Sequence, residues 1–183
     1  MTQVAWIATR PRVRFLGGLV LAACVAVAGC DDNGTGPSDP PVVLTATLSP
    51  ANEVPPIGNE ESVAQGAVQI TLQPVRDATG AITSATADFH IQIAGLPTDT
   101  PYVGAHIHPG VAGVNGGVVV NTSLSAGTLP AIQNGAAVWN FPNVNVPVAI
   151  AQQLESNPGA FYFNVHTLRN PGGVARGQLS RAQ

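Results

Sequence analysis

Three histidines in this chain have the spacing of a metal site. His106 and His108 stand at i and i+2 in Gly104-Ala105-His106-Ile107-His108-Pro109-Gly110, and His166 follows far downstream in Asn164-Val165-His166-Thr167. On an extended strand, residues i and i+2 project from the same face, about 6.6 Å apart along the chain. Neutral imidazole suits copper and zinc, and a His-x-His pair joined by a remote histidine assembles three nitrogen ligands. His106, His108 and His166 are therefore candidate ligands for copper or zinc. Asn164, two residues before His166, is a candidate to orient an imidazole from behind. Ligand imidazoles must be neutral, so affinity should fall as pH drops through the histidine range, near 6.5 for an unperturbed group. A purely structural role competes with this reading: the same rings can hydrogen-bond the backbone of the 111–117 loop and Thr167.

Other chemistry is sparse. His90 stands alone on a polar strand face and reads as solvated. Glu53 is the one acid of Asn52-Glu53-Val54-Pro55-Pro56, and the sequence shows no partner that would make it a catalytic base. No Ser-His-Asp order, phosphate-binding loop or dinucleotide fingerprint is present. The two cysteines are Cys24 and Cys30, and the single methionine is Met1.

The N-terminus accounts for both cysteines. Arg10, Arg12 and Arg14 precede an apolar run from Phe15 to Val27, too short for the roughly 20 residues that span a bilayer. The run ends in Val27-Ala28-Gly29-Cys30, which resembles the lipobox of bacterial lipoproteins. Residues 1–29 are expected to be a signal peptide and Cys30 the lipid attachment point, placing the protein at a membrane of the bacterial envelope. The mature chain would keep 154 of the 183 residues, with four arginines and no lysine against ten acids, a net charge of −6. That excludes nucleic acid, whose binding depends on phosphate neutralisation. It also leaves no thiol for catalysis, for a disulfide or for a soft Cu(I) store.

Residues 30–41 are polar and rich in Gly and Pro and read as a flexible tether. The domain follows over 42–183. Alternation of period two marks strands over 43–48, 63–72, 82–93, 103–108, 117–124, 136–141, 161–166 and 174–179, punctuated by Gly, Pro and Asn. Ile150 and Leu154, four apart between Pro147 and Asn157-Pro158-Gly159, predict one short helix over 148–155. Trp139, Phe141, Phe161 and Phe163 read as core. The expected class is all-β, seven to nine antiparallel strands in a sandwich or barrel.

Four motifs, in order, resemble the CHRD domain family, named for chordin. They are Leu48-Ser49-Pro50-Ala51-Asn52-Glu53-Val54-Pro55-Pro56, Ala105-His106-Ile107-His108-Pro109-Gly110, Phe161-Tyr162-Phe163-Asn164-Val165-His166-Thr167 and Gly172-Gly173-Val174-Ala175-Arg176-Gly177-Gln178-Leu179. The resemblance implies an immunoglobulin-like Greek-key fold with a limited likeness to copper,zinc superoxide dismutase, and names no protein partner. In that likeness His106, His108 and His166 match copper ligands, and Arg176 matches an anion-guiding arginine. No histidine or aspartate lies between His108 and Asn164, so the bridging histidine and zinc block are missing and at most half a site is implied. Two functions follow: a non-catalytic, lipid-anchored binding or scaffold domain, or a three-histidine metalloprotein with superoxide-dismutase-like copper chemistry.

Overall fold

A computed structural model describes residues 40–122 and 134–183. The signal peptide, Cys30, most of the tether and the end of the strand expected to reach Leu124 lie outside the described residues. Among those described, no helix is long and apolar enough to cross a membrane.

The alternating segments form nine strands: β1 Val42–Leu48, β2 Gln65–Arg76, β3 Ile82–Ala94, β4 Tyr102–Pro109, β5 Val120–Asn121, β6 Ala137–Asn145, β7 Phe161–Thr167, β8 Ala175–Gln178 and β9 Ser180–Arg181. The one α-helix among the described residues, α1, spans Val148–Ser156, one residue beyond its expected end. Two sheets result, in the orders β6-β3-β2-β1-β9 and β5-β4-β7-β8, and every strand pairing is antiparallel. This is the all-β sandwich expected, with its one short helix.

Register explains why the sheets pack. Along β2 and β3, Val68 faces Ile91, Ile70 faces Phe89 and Leu72 faces Ala87, so each inward row is apolar. Ile107, Phe163 and Val165 of the second sheet are fully buried against these rows, and the Phe89 and Phe163 rings meet 5.9 Å apart across the layers. Trp139 and Phe161 are also buried, and Phe141 packs against the core. Helix α1 buries Ala151 and Leu154, and Arg76 of β2 reaches its Glu155 with two 2.7 Å hydrogen bonds.

Several boundaries differ from the periodicity: β2 runs on to Arg76, the strand expected from 117 begins only at Val120, and β9 is an added strand. The segment before β2 is a 3-10 turn over Glu60–Val63, because the Asn59 side chain accepts from the Glu61 N–H at 3.0 Å and caps it. Strand β6 continues through Pro142 to Asn145, since a sheet edge tolerates a proline. There Asp88 accepts from the Asn143 N–H at 2.8 Å, across the irregularity in β3–β6 pairing.

Strand β7 departs most from simple alternation: all seven of its residues are buried. Its inner face meets the core. Its outer face is covered by the segment after β1, the loop after β4 and the loop before β8, which supply Glu53, Gly116, Pro171 and Gly173 to the surroundings of the histidines.

Candidate metal centre

Strand β4 buries Ala105 and Ile107 completely in the core, so His106 and His108 project from the opposite face. Strand β7 runs antiparallel beside it, with Gly104 opposite His166, His106 opposite Asn164 and His108 opposite Tyr162. His166 thus faces a residue with no side chain. The His106 ring folds back over that glycine: a Cβ at Gly104 would lie 2.6 Å from His106 Cε1. The ring centroids are 4.9 Å apart for His106 and His166, and 5.7 Å for each pair involving His108. One ligand nitrogen from each ring lies within 4.8 Å of the other two. Among the described residues these three make the one group of this kind. His90 sits apart on the other sheet, hydrogen-bonded to Asn140 and Gln92.

Hydrogen bonding fixes which nitrogens are available. His108 Nδ1 lies 3.0 Å from the Gly116 carbonyl, and His166 Nδ1 lies 3.1 Å from the Pro171 carbonyl. A carbonyl only accepts, so both Nδ1 atoms carry the proton and both Nε2 atoms keep a bare lone pair. Those Nε2 atoms, and His106 Nδ1, are buried and have no hydrogen-bond partner. The bare Nε2 atoms of His108 and His166, with the His106 ring whose tautomer no carbonyl dictates, make three imidazole donors within 4.8 Å of one another, and the residues fit a copper or zinc ion. Ligating nitrogens around a metal held at 2.0–2.1 Å sit roughly 3–3.5 Å apart, so closing the site takes side-chain shifts of about 1 Å.

The electrostatics agree with neutral rings. Burial, reinforced by His166 and His108, pushes the His106 pKa down to about 4. Burial also lowers His108 and His166, opposed by the Gly116 and Gly117 backbone for the first and by the Pro171 carbonyl for the second. All three imidazoles are therefore neutral at pH 7.

The loops that orient the rings are themselves anchored. Glu61 Oε2 accepts from Thr167 Oγ1 at 2.6 Å and from Asn170 Nδ2, and Asn170 N donates to Thr167 Oγ1 at 3.0 Å. These bonds hold the turn that carries Pro171. On the other side, Gly116 N donates to the Tyr162 hydroxyl at 3.2 Å, and the Tyr162 ring stacks on His108 at 4.9 Å and 6°.

Arg176 and Asn164 behave differently from the histidines. The Arg176 guanidinium lies 4.5 Å from the centre of the Tyr162 ring. Two groups stacked on one ring take opposite faces, so Tyr162 stands between Arg176 and His108. Arg176 is 3% exposed and donates to the Asn52 carbonyl at 2.6 Å and to Asn115 Oδ1 at 2.8 Å. Asn164 makes no hydrogen bond to an imidazole; its side chain supports the ionised form of Glu53. His108 and His166 are oriented by backbone carbonyls instead. Burial raises the Glu53 pKa to about 7, against the pull of the Arg176 charge and of Asn164.

Glu53, Glu61, Tyr162, Gly116 and Pro171 are the parts of this centre that the histidine spacing does not indicate. Glu53 had a signal, as the lone acid in a proline-flanked motif. The two carbonyls had none, because a backbone oxygen leaves no mark in residue type. No curated protein and no solved structure matches the chain. Residues 44–179, however, match the family model described as the CHRD domain, which is most of the chain, and the protein belongs to the CHRD domain family.

Proposed function

We propose that this CHRD domain is a lipid-anchored envelope module whose ligand is one copper or zinc ion, held by His106, His108 and His166. The observation that carries the reading is that each of the three histidines offers a ring nitrogen within 4.8 Å of the other two, and each has one buried ring nitrogen with no hydrogen-bond partner. A solely structural network gives imidazoles partners on both nitrogens or leaves one in water; here each ring has one buried nitrogen with no hydrogen-bond partner among the described residues. Bound there, the ion supplies a Lewis-acid centre with three protein ligands. The envelope location rests on the basic, apolar and Val27-Ala28-Gly29-Cys30 sequence of the N-terminus.

The role is non-catalytic binding rather than turnover. Superoxide-dismutase-like chemistry needs an anion drawn to the metal, and Arg176 is pinned behind Tyr162. Copper-loaded protein should therefore show no superoxide dismutation above its copper-free form. Titration of untagged protein with Cu(II) or Zn(II), followed by calorimetry, tests the binding itself. One ion per chain is expected. His106→Ala combined with His166→Ala should abolish that binding with the far-UV circular dichroism unchanged, because neither ring belongs to the apolar core.

A further inference from the structure

The outer face of the first sheet carries an uncharged polar row that the histidine centre does not use. Register aligns Ser180 of β9, Thr45 of β1, Gln69 of β2, His90 of β3 and Asn140 of β6 side by side across all five strands. At about 4.8 Å per strand the row is about 19 Å long. The next row along the same face places Ala67 between Thr47 and Gln92. Ala67 is exposed, and its short side chain beside longer neighbours leaves a depression. Two hollows meet there, of about 540 and 400 Å³, and Thr47, Ala67 and Gln92 border both. Among the described residues, no aspartate, glutamate or arginine borders either hollow.

Part of this face is already ordered. His90 Nδ1 lies 2.7 Å from Asn140 Oδ1, and His90 Nε2 lies 2.8 Å from Gln92 Nε2. An amide oxygen only accepts, so His90 Nδ1 carries the proton and Nε2 accepts from the Gln92 amide. The bonds run one way, and they leave Gln92 Oε1 to accept from a ligand and Asn140 Nδ2 to donate to one. Side chains tied in this way lose less freedom when a ligand binds.

The ligand that matches is uncharged and rich in groups that both donate and accept. An ionic ligand would give up hydration with no opposite charge to replace it, and the chain's acids lie outside both hollows. An extended peptide adds to the edge of a sheet or docks on aromatic anchors, whereas Gln69 and His90 stand on inner strands. Sugar hydroxyls donate and accept at once, and a short linear glycan matches the length of the row. We propose that the outer face of the first sheet binds a neutral oligosaccharide laid across its strands. Ala67 gives it room, Gln69, Gln92 and Asn140 hydrogen-bond it, and His90 orients the last two. This ligand is additional to the metal ion and lies on the other sheet.

Nitrogen-15 NMR titration of the mature protein tests it, with cellotetraose and N-acetylchitotetraose as neutral probes and tetragalacturonate as the charged control. Saturable shifts of the Gln69, Gln92 and Asn140 side-chain amides are expected with at least one neutral sugar, and the sugar that acts shows whether N-acetyl groups are read. Tetragalacturonate should bind roughly tenfold more weakly or not at all. Gln92→Ala removes a hydrogen-bonding group and Ala67→Gln fills the depression; each should weaken binding roughly tenfold. Both positions are exposed, so far-UV circular dichroism should not change. No saturable shift with either neutral sugar, or shifts confined to the second sheet, would overturn the proposal. So would equal binding of tetragalacturonate, unchanged binding in both variants, or shifts at this face from an uncharged peptide but from neither sugar. Zinc titration of the same samples reports on the histidines separately, so failure of one reading is distinguishable from failure of the other.

Discussion

At the scale of single residues, the histidine centre is defined by lone pairs and by a glycine. Gly104 lets the His106 ring lie across β4 toward His166, so Gly104→Ala should push that ring away. We expect at least a tenfold loss of zinc or copper affinity with little change in thermal stability, read by competitive titration. The pH dependence follows from burial. Protons compete with metal for imidazole, and rings whose pKa is lowered stay neutral further into acid. Binding should persist at pH 6 and fail toward pH 4, below the 6.5 that the residue type alone suggests. In the metal-free protein the histidines contribute stability that is intact above pH 6.5 and lost as pH falls toward 4, since the unfolded chain takes up protons that the folded one refuses. Glu53 works in the opposite sense. Its folded pKa is raised from 4.5 to about 7, so its contribution is intact below pH 4.5 and lost as pH rises to 7. Glu53→Gln should thus be more stable than the native chain at pH 8, by on the order of 2–3 kcal/mol in urea denaturation, and should show a steeper acid limb.

At the scale of elements, β4 and β7 bring the histidines together, and three connecting segments orient them. The strands were legible from period-two alternation, because inward rows such as Val68, Ile70 and Leu72 must be apolar to pack. The pairing of β4 with β7 was not legible from alternation; the His-x-His pair and the remote His166 suggested only that their strands could meet. The outer cover was not legible, since Gly116 and Pro171 act through carbonyls and Glu61 acts on a turn distant in sequence. Glu61 nevertheless secures the His166 side of the centre through Thr167 and Asn170. Glu61→Ala should leave those donors unpaired, cost about 1–3 kcal/mol of stability and lower metal affinity roughly tenfold. Denaturation and titration of the same preparation would show both losses together, whereas a stability loss alone would mean the turn does not position His166.

At the scale of the whole molecule, two sheets enclose one apolar core and present a polar outer face on the second sheet. Phe163 lies at the centre of that core, and Phe163→Ala should cost about 3–5 kcal/mol by calorimetric melting. Membership of the CHRD domain family covers the sandwich and its motifs, not the N-terminus. Lipid attachment is tested on the intact chain in cells. Cys30→Ala should move the protein from the detergent phase to the aqueous phase, and a native chain that is already aqueous would remove the anchor from the account.

The central claim is the three-imidazole coordination. X-ray absorption spectroscopy of the untagged, mature protein loaded with one equivalent of zinc tests it most directly. The account predicts a first shell with three imidazole nitrogens at about 2.0–2.1 Å. A shell of oxygens alone, or zinc that washes out before a spectrum is collected, would contradict it.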